Sequence, residues 1–201
     1  VVPLPGGELR VRRPPDADAL LNEEAFDRNE FLPYWASLWP SAIALARHVA
    51  ARGLRGARTL ELGCGLGLPS IAAARAGGRV TASDWSPAAV AATTENAVRN
   101  GVALETLECS WAEPAPLLAR APWDLVLASD VLYERRNGDL LLDLLPRLTV
   151  ERGEVLLADP DRPPAQAFLA RARRRFDVSS TRLSERPAVT LHRLAPARLG
   201  Q

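Results

Sequence analysis

The stretch Leu60-Glu61-Leu62-Gly63-Cys64-Gly65-Leu66-Gly67 constrains this chain more than any other. Arg58-Thr59 lead into it as the start of a short buried strand, and Pro69 to Ala74 continue it as a helix. Strand, glycine turn and helix make the front half of a βαβ unit. The glycines open backbone torsions closed to other residues and let a ligand approach the main chain. Their spacing is G-x-G-x-G, where a dinucleotide fingerprint has G-x-G-x-x-G. Glu61 stands just before the turn, where a dinucleotide site would receive a pyrophosphate. A carboxylate there repels phosphate and suits a ligand that is cationic or rich in hydroxyls.

The same alternation runs along the rest of the chain. Before the turn, Glu8 to Arg13 is expected as an edge strand stopped by Pro14-Pro15, and Asp16 as the N-cap of a helix through Glu24. Phe26 to Trp39 is rich in aromatics, open to reading as packing or as one wall of a site. Pro40 suits the first turn of a helix that Gly53 ends. After the turn, the pattern predicts strands over Arg79 to Ser83, Leu104 to Cys109, Trp123 to Ala128 and Gly153 to Ala158. Helices are predicted after Ser86-Pro87, from Leu140 to Leu148 and from Ala165 to Arg175. Asp177 to Leu183 and Ala188 to Leu194 pair as a closing antiparallel hairpin. The expectation is one α/β domain over 1–201, a Rossmann-like, mostly parallel sheet with helices on both faces, with 1–39 an arm that forms part of the site.

Composition removes several classes of function. The formal net charge of +1 gives no general attraction to nucleic acid or to an acidic membrane surface. Every basic residue is arginine, so a lysine-modifying enzyme of this sequence could not modify its own side chains. Cys64 and Cys109 have no metal spacing, so no metal is expected, and small buried thiols fit a reducing compartment. Val1 to Gly7 lacks a basic-then-apolar pattern, and no apolar run is long enough to span a bilayer. The expected location is cytoplasmic.

In an open parallel sheet the ligand lies beyond the carboxyl ends of the strands. Those ends supply Glu61 and Gly63, Asp84, Ser110-Trp111, Ser129-Asp130 and Asp159. Asp84 lies about 20 residues past the turn, where a carboxylate reads ribose hydroxyls. Trp111 is suited to stack on an adenine.

Two resemblances follow from these residues. E-L-G-C-G-x-G resembles the first motif of class I S-adenosylmethionine (SAM) methyltransferases, which implies seven strands, SAM as cofactor and S-adenosylhomocysteine as its product. Pro33-Tyr34-Trp35-Ala36, Trp39-Pro40, Ser110-Trp111 and Ser129-Asp130-Val131-Leu132-Tyr133 resemble the non-histone lysine methyltransferases, and Asp159-Pro160-x-Arg162 the branch acting on the electron transfer flavoprotein β-subunit. That resemblance implies SAM contacts at Trp39, Gly63, Cys64, Gly65, Asp84, Trp111 and Ser129, to which the turn's own reading adds Glu61 and Gly67. Its D-x-x-Y motif makes Asp130 the residue that holds the acceptor amine and Tyr133 a wall along the acceptor's stem.

The implied partner is a protein carrying a target lysine. The same fold could instead methylate a small molecule, or bind SAM without catalysis, because fold does not fix substrate. Nucleic-acid methylation is disfavoured, since Asp130-Val131-Leu132-Tyr133 stands where an N-P-P-[YF] motif would be.

Overall fold

The structure, a computed structural model, describes residues 1–14, 34–183 and 187–197. The helix expected from Asp16, and Phe26 and Phe31 of the aromatic segment, lie outside the described residues.

The first chain segment is a small antiparallel hairpin, β1 (Val2–Leu4) and β2 (Gly7–Leu9), set apart from the main sheet. This corrects the expected edge strand at Glu8 to Arg13. Pro5-Gly6 makes a tight turn with Gly6 at φ +79°, so the chain folds back early and buries Val2 and Leu9 against the helices below.

The main sheet holds seven strands: β3 (Arg58–Leu62), β4 (Arg79–Asp84), β5 (Glu105–Glu108), β6 (Trp123–Ser129), β7 (Thr149–Asp159), β8 (Phe176–Arg182) and β9 (Thr190–Pro196). Their order is β5-β4-β3-β6-β7-β9-β8. Strands β3 to β7 pair in parallel, while β9 runs antiparallel between β7 and β8. The sequence order reverses between β3 and β6, and that switch point opens a crevice at their carboxyl ends.

Alternating side chains divide the core into two layers. Leu60, Leu62, Val126, Ala128, Val155 and Leu157 point one way, onto α4 (Ala115–Leu118), α5 (Arg135–Leu148) and α6 (Pro163–Ala172). Leu125, Leu127, Leu156 and Ala158 point the other way, onto α1 (Pro40–Ala50) and α2 (Leu68–Arg75). The remaining helix, α3 (Pro87–Arg99), starts as its sequence predicts: Pro87 fills the first turn and Ser86 Oγ accepts from the Ala89 amide.

Two elements are longer than their patterns suggested. Helix α5 begins at Arg135, not Leu140, with Gly138 inside it beside α6, where an added Cβ would make ordinary contact at 3.5 Å with Phe168 Cβ. Strand β7 begins at Thr149, ahead of Gly153, and meets β6 with a register shift between Trp123 and Leu125.

Two asparagines one helical turn apart tie the first segment to α3. Asn96 exchanges hydrogen bonds with the backbone of Arg12 (2.8 and 3.1 Å), and Asn100 does the same with Arg10 (3.0 and 2.8 Å). Asn96 is fully buried and also donates to the Leu66 carbonyl at 3.1 Å, so this clamp reaches the glycine turn.

Candidate functional site

The glycine turn needs all three of its glycines for stated reasons. Gly63, Gly65 and Gly67 have φ of +68°, +52° and +81°. A Cβ on Gly63 would lie 3.1 Å from Val131 and 3.6 Å from the Trp111 ring, so the indole sits over the turn. A Cβ on Gly67 would lie 2.8 Å from the Thr93 side chain. Strain and contact together exclude larger residues there.

Beyond the turn is a cavity of about 670 Å³, within the range of small-molecule sites. Trp39, Gly63, Cys64, Gly65, Asp84, Trp111, Ser129, Asp130 and Tyr133 all line it, so four strand-end loops and the start of α1 converge on one space. Ser110 lines it as well.

Glu61, Gly67 and Asp159 are not among the lining residues. Glu61 is therefore corrected from a cavity group to a support. It lies between Leu60 and Leu62 on β3, so its side chain turns to the α2 face, where it is fully buried and its Oε2 accepts from Ser70 N at 2.9 Å and from Ser70 Oγ. Burial pushes its carboxyl up to about 8. Gly67 is a support too: it caps α2 in the left-handed region, with its amide 2.7 Å from the Cys64 carbonyl. Asp159 folds inward, accepting from the Arg162 amide at 2.8 Å, and burial pushes it up to about 6.

Asp84 is prearranged. Its Oδ2 accepts from the Gly65 amide and its Oδ1 from the Ser86 amide, both at 3.0 Å. An ionised carboxyl has about four acceptor positions, so about two remain for hydroxyls of a ligand. Burial pushes Asp84 up from its ordinary range, and the amides of Ser86, Gly65 and Trp85 oppose that. Cys64 turns its thiol away into a contact with Thr93 Oγ1 at 3.3 Å, and burial pushes the thiol well up.

The opposite wall comes from the segment before α1. Tyr34, Trp35, Ser37 and Leu38 line the cavity beside Trp39, whose indole N–H donates to the Tyr34 carbonyl at 2.8 Å. The Tyr34 ring packs on Tyr133, with centroids 5.4 Å apart. Tyr133 is 40% exposed at the cavity's edge, and burial of the rest pushes its phenol up.

Asp130 is held in an uncommon backbone state, φ +58°, with its amide on the Ala158 carbonyl at 2.9 Å. Its Oδ1 forms an ion pair with Arg162 Nη1. Sequence reasoning missed Trp85 on the cavity and the pairing of Asp130 behind it. Trp85, 46% exposed on the cavity, had a signal in being an aromatic directly after the strand-end acid. Arg162 stood in the Asp159-Pro160-x-Arg162 motif, but no signal paired it with Asp130, 32 positions away.

A carboxylate with open acceptor positions, two indoles, a turn that a ligand can approach closely, and Asp130 with Tyr133 share one cavity, a set of groups that would fit SAM. Among the described residues, no helix is long and apolar enough to cross a membrane.

The chain is 37% identical over 136 residues to the electron transfer flavoprotein beta subunit lysine methyltransferase of Xenopus laevis, covering 65% of this chain and 53% of that protein. It is 35% identical over 127 residues to the histone-arginine methyltransferase METTL23 of Xenopus laevis, covering 59% of this chain and 53% of that protein. The chain thus spans about half the length of these curated relatives. Among solved structures, cofactor-bound Rv0187 from MTB superposes with a TM-score of 0.62 at 21% identity, covering 95% of this chain and all of that one, a likeness of fold. Residues 34–175 match the family described as lysine methyltransferase, and on that match this chain belongs to the lysine methyltransferase family.

Proposed function

We propose that this chain transfers a methyl group from SAM to a lysine amine of a protein substrate. The observation that carries the reading is that Asp130 and Tyr133 of the D-x-x-Y motif open onto the same cavity as the glycine turn, Asp84 and Trp111. Asp84 would hold the ribose hydroxyls, Trp111 the adenine, and the turn's backbone the rest of the cofactor. When bound, SAM supplies a methyl already activated by its sulfonium. The chain's task is then to align the acceptor and exclude water. Asp130 would orient the amine through Oδ2, the oxygen that Arg162 does not engage. Tyr133 and Tyr34, in ring contact, would flank the acceptor's aliphatic stem. The acceptor must be neutral, although free lysine has a pKa of about 10.4. The two free, buried cysteines support a reducing, cytoplasmic setting.

Tritiated SAM in a dialysed lysate lacking this protein tests the reading, with the electron transfer flavoprotein β-subunit, named for a relative, as the first purified acceptor. Label is expected in a protein, and lost when the modified lysine is changed to Arg. Asp130→Asn should leave SAM affinity within a few-fold while transfer falls by roughly 10²-fold. The likeness to a histone-arginine methyltransferase favours a guanidinium as second acceptor class, and label retained after lysine changes but lost after arginine changes would select it. Label only in low-mass metabolites defeats both.

A further inference from the structure

We infer that Arg162 is a positioning residue for methyl transfer: by pairing with Asp130 it turns that carboxylate from a counter-ion of the acceptor into an orienting group for a neutral amine. The inference rests on the lysine reading above.

The pair is built, not incidental. Arg162 Nη1 meets Asp130 Oδ1, with the Asp130 side chain 7% exposed and that of Arg162 30% exposed. Asp130 lines the cavity and Arg162 does not, so the arginine acts from behind the carboxylate. The loop that carries it is fixed at each step. The amide of Arg162 donates to Asp159 Oδ1 at 2.8 Å. Asp161, at φ +63°, accepts from Thr190 Oγ1 at 2.7 Å, which ties the loop to β9. The Arg162 carbonyl accepts from the Ala165 amide at 3.0 Å as α6 begins.

The chemistry requires such a device. A lone carboxylate beside the acceptor stabilises the ammonium form and raises its pKa, which removes the nucleophile. Transfer needs that ammonium to lose one proton to solvent. The nitrogen lone pair then bonds to the methyl carbon, and the carbon–sulfur electron pair returns to sulfur, cancelling the sulfonium charge. With Arg162 paired, Asp130 and its partner sum to no net charge, while Oδ2 still accepts an N–H from the amine. Other charged and titratable groups around Asp130 are Asp159 at the end of β7, Asp161 from the β7–α6 loop, and Tyr133, Glu134 and Arg136 from the segment after β6. Asp84 from β4 and Tyr34 from the segment before α1 face the same cavity. Asp159, Asp161, Glu134 and Asp84 are four carboxyl groups against the one guanidinium of Arg136, and Arg162 adds a second positive charge beside Asp130.

The test uses the labelled acceptor protein purified from the lysate, at saturating acceptor and SAM, with kcat followed against pH, which reports groups in the bound complex. For Arg162→Gln the rising limb should move to higher pH by about one unit, a loss of about tenfold near neutral pH that closes at alkaline pH. Arg162→Lys keeps a charge on a single contact and should keep the wild-type limb. Where Arg162→Gln leaves Asp130 buried without a partner and does not fold, the double variant Asp130→Asn/Arg162→Gln removes both charges. Its limb should stand at the wild-type position whatever its rate. A pH-independent loss in Arg162→Gln, a displaced limb in Arg162→Lys, or a displaced limb in the double variant overturns the inference. No label with the wild-type chain defeats the lysine reading itself, and this inference with it.

Discussion

Replacing Glu61 with Gln probes the electrostatics beneath the glycine turn. Glu61 is fully buried, with Oε2 held by Ser70 and Oε1 without a hydrogen-bond partner. Burial is the largest cause of its rise from an ordinary 4.5 to about 8; the Ser70 bonds oppose it and the charge on Asp84 adds to it. The unfolded chain releases this proton near 4.5, whereas the native chain keeps it to about 8. The native state therefore binds more protons across that window, and its stability falls as pH rises through it. At about 1.4 kcal/mol per pH unit, the whole window is worth at most on the order of 5 kcal/mol. Gln keeps the shape, offers a carbonyl to Ser70 and does not titrate. Urea unfolding of both proteins from about pH 4 to about pH 9 should give curves that diverge, with the wild type losing stability relative to Glu61→Gln by several kcal/mol. The difference isolates Glu61, since Asp84 and Asp159 titrate in both proteins. Curves that stay parallel across the window would show that Glu61 is ionised in the fold, and the argument from burial would be wrong.

Two further outcomes concern Asp84 and Trp111, on the side of the cavity proposed for the cofactor. Asp84→Ala should weaken SAM binding in isothermal titration by about 1.5–3 kcal/mol, the range for a hydrogen bond to a charged group, and a folded variant with unchanged affinity removes Asp84 from the site. Trp111→Ala should raise the SAM dissociation constant more than it lowers the melting temperature of the ligand-free protein; a variant that simply unfolds makes the indole a core residue instead.

The order of strands and helices was legible along the chain because it rests on local signals. Ser86-Pro87 opens α3, Gly101 at φ +66° follows its end, and the apolar run of β6 marks a central strand. The carboxyl-end rule then collected Asp84, Trp111, Ser129 and Asp130 before any contact was known, since parallel strands align their ends whatever their separation in sequence.

What the sequence could not decide is which way a strand-end side chain turns and what it meets. Glu61 is one residue from the turn, yet strand alternation commits it to the face opposite Leu60 and Leu62, and only the packing of α2 there makes it a buried clamp on Ser70. Gly138 sits inside α5 beside Phe168 of α6, ahead of the apolar pattern that begins at Leu140. The Asp130–Arg162 pair and the Asn96 clamp on Arg12 and Leu66 join residues far apart in sequence. Sequence spacing determines periodicity, and so the elements and the end of the sheet where the cavity opens. The partner of each charge across that cavity is determined by distances that exist only once the two layers have closed on the sheet.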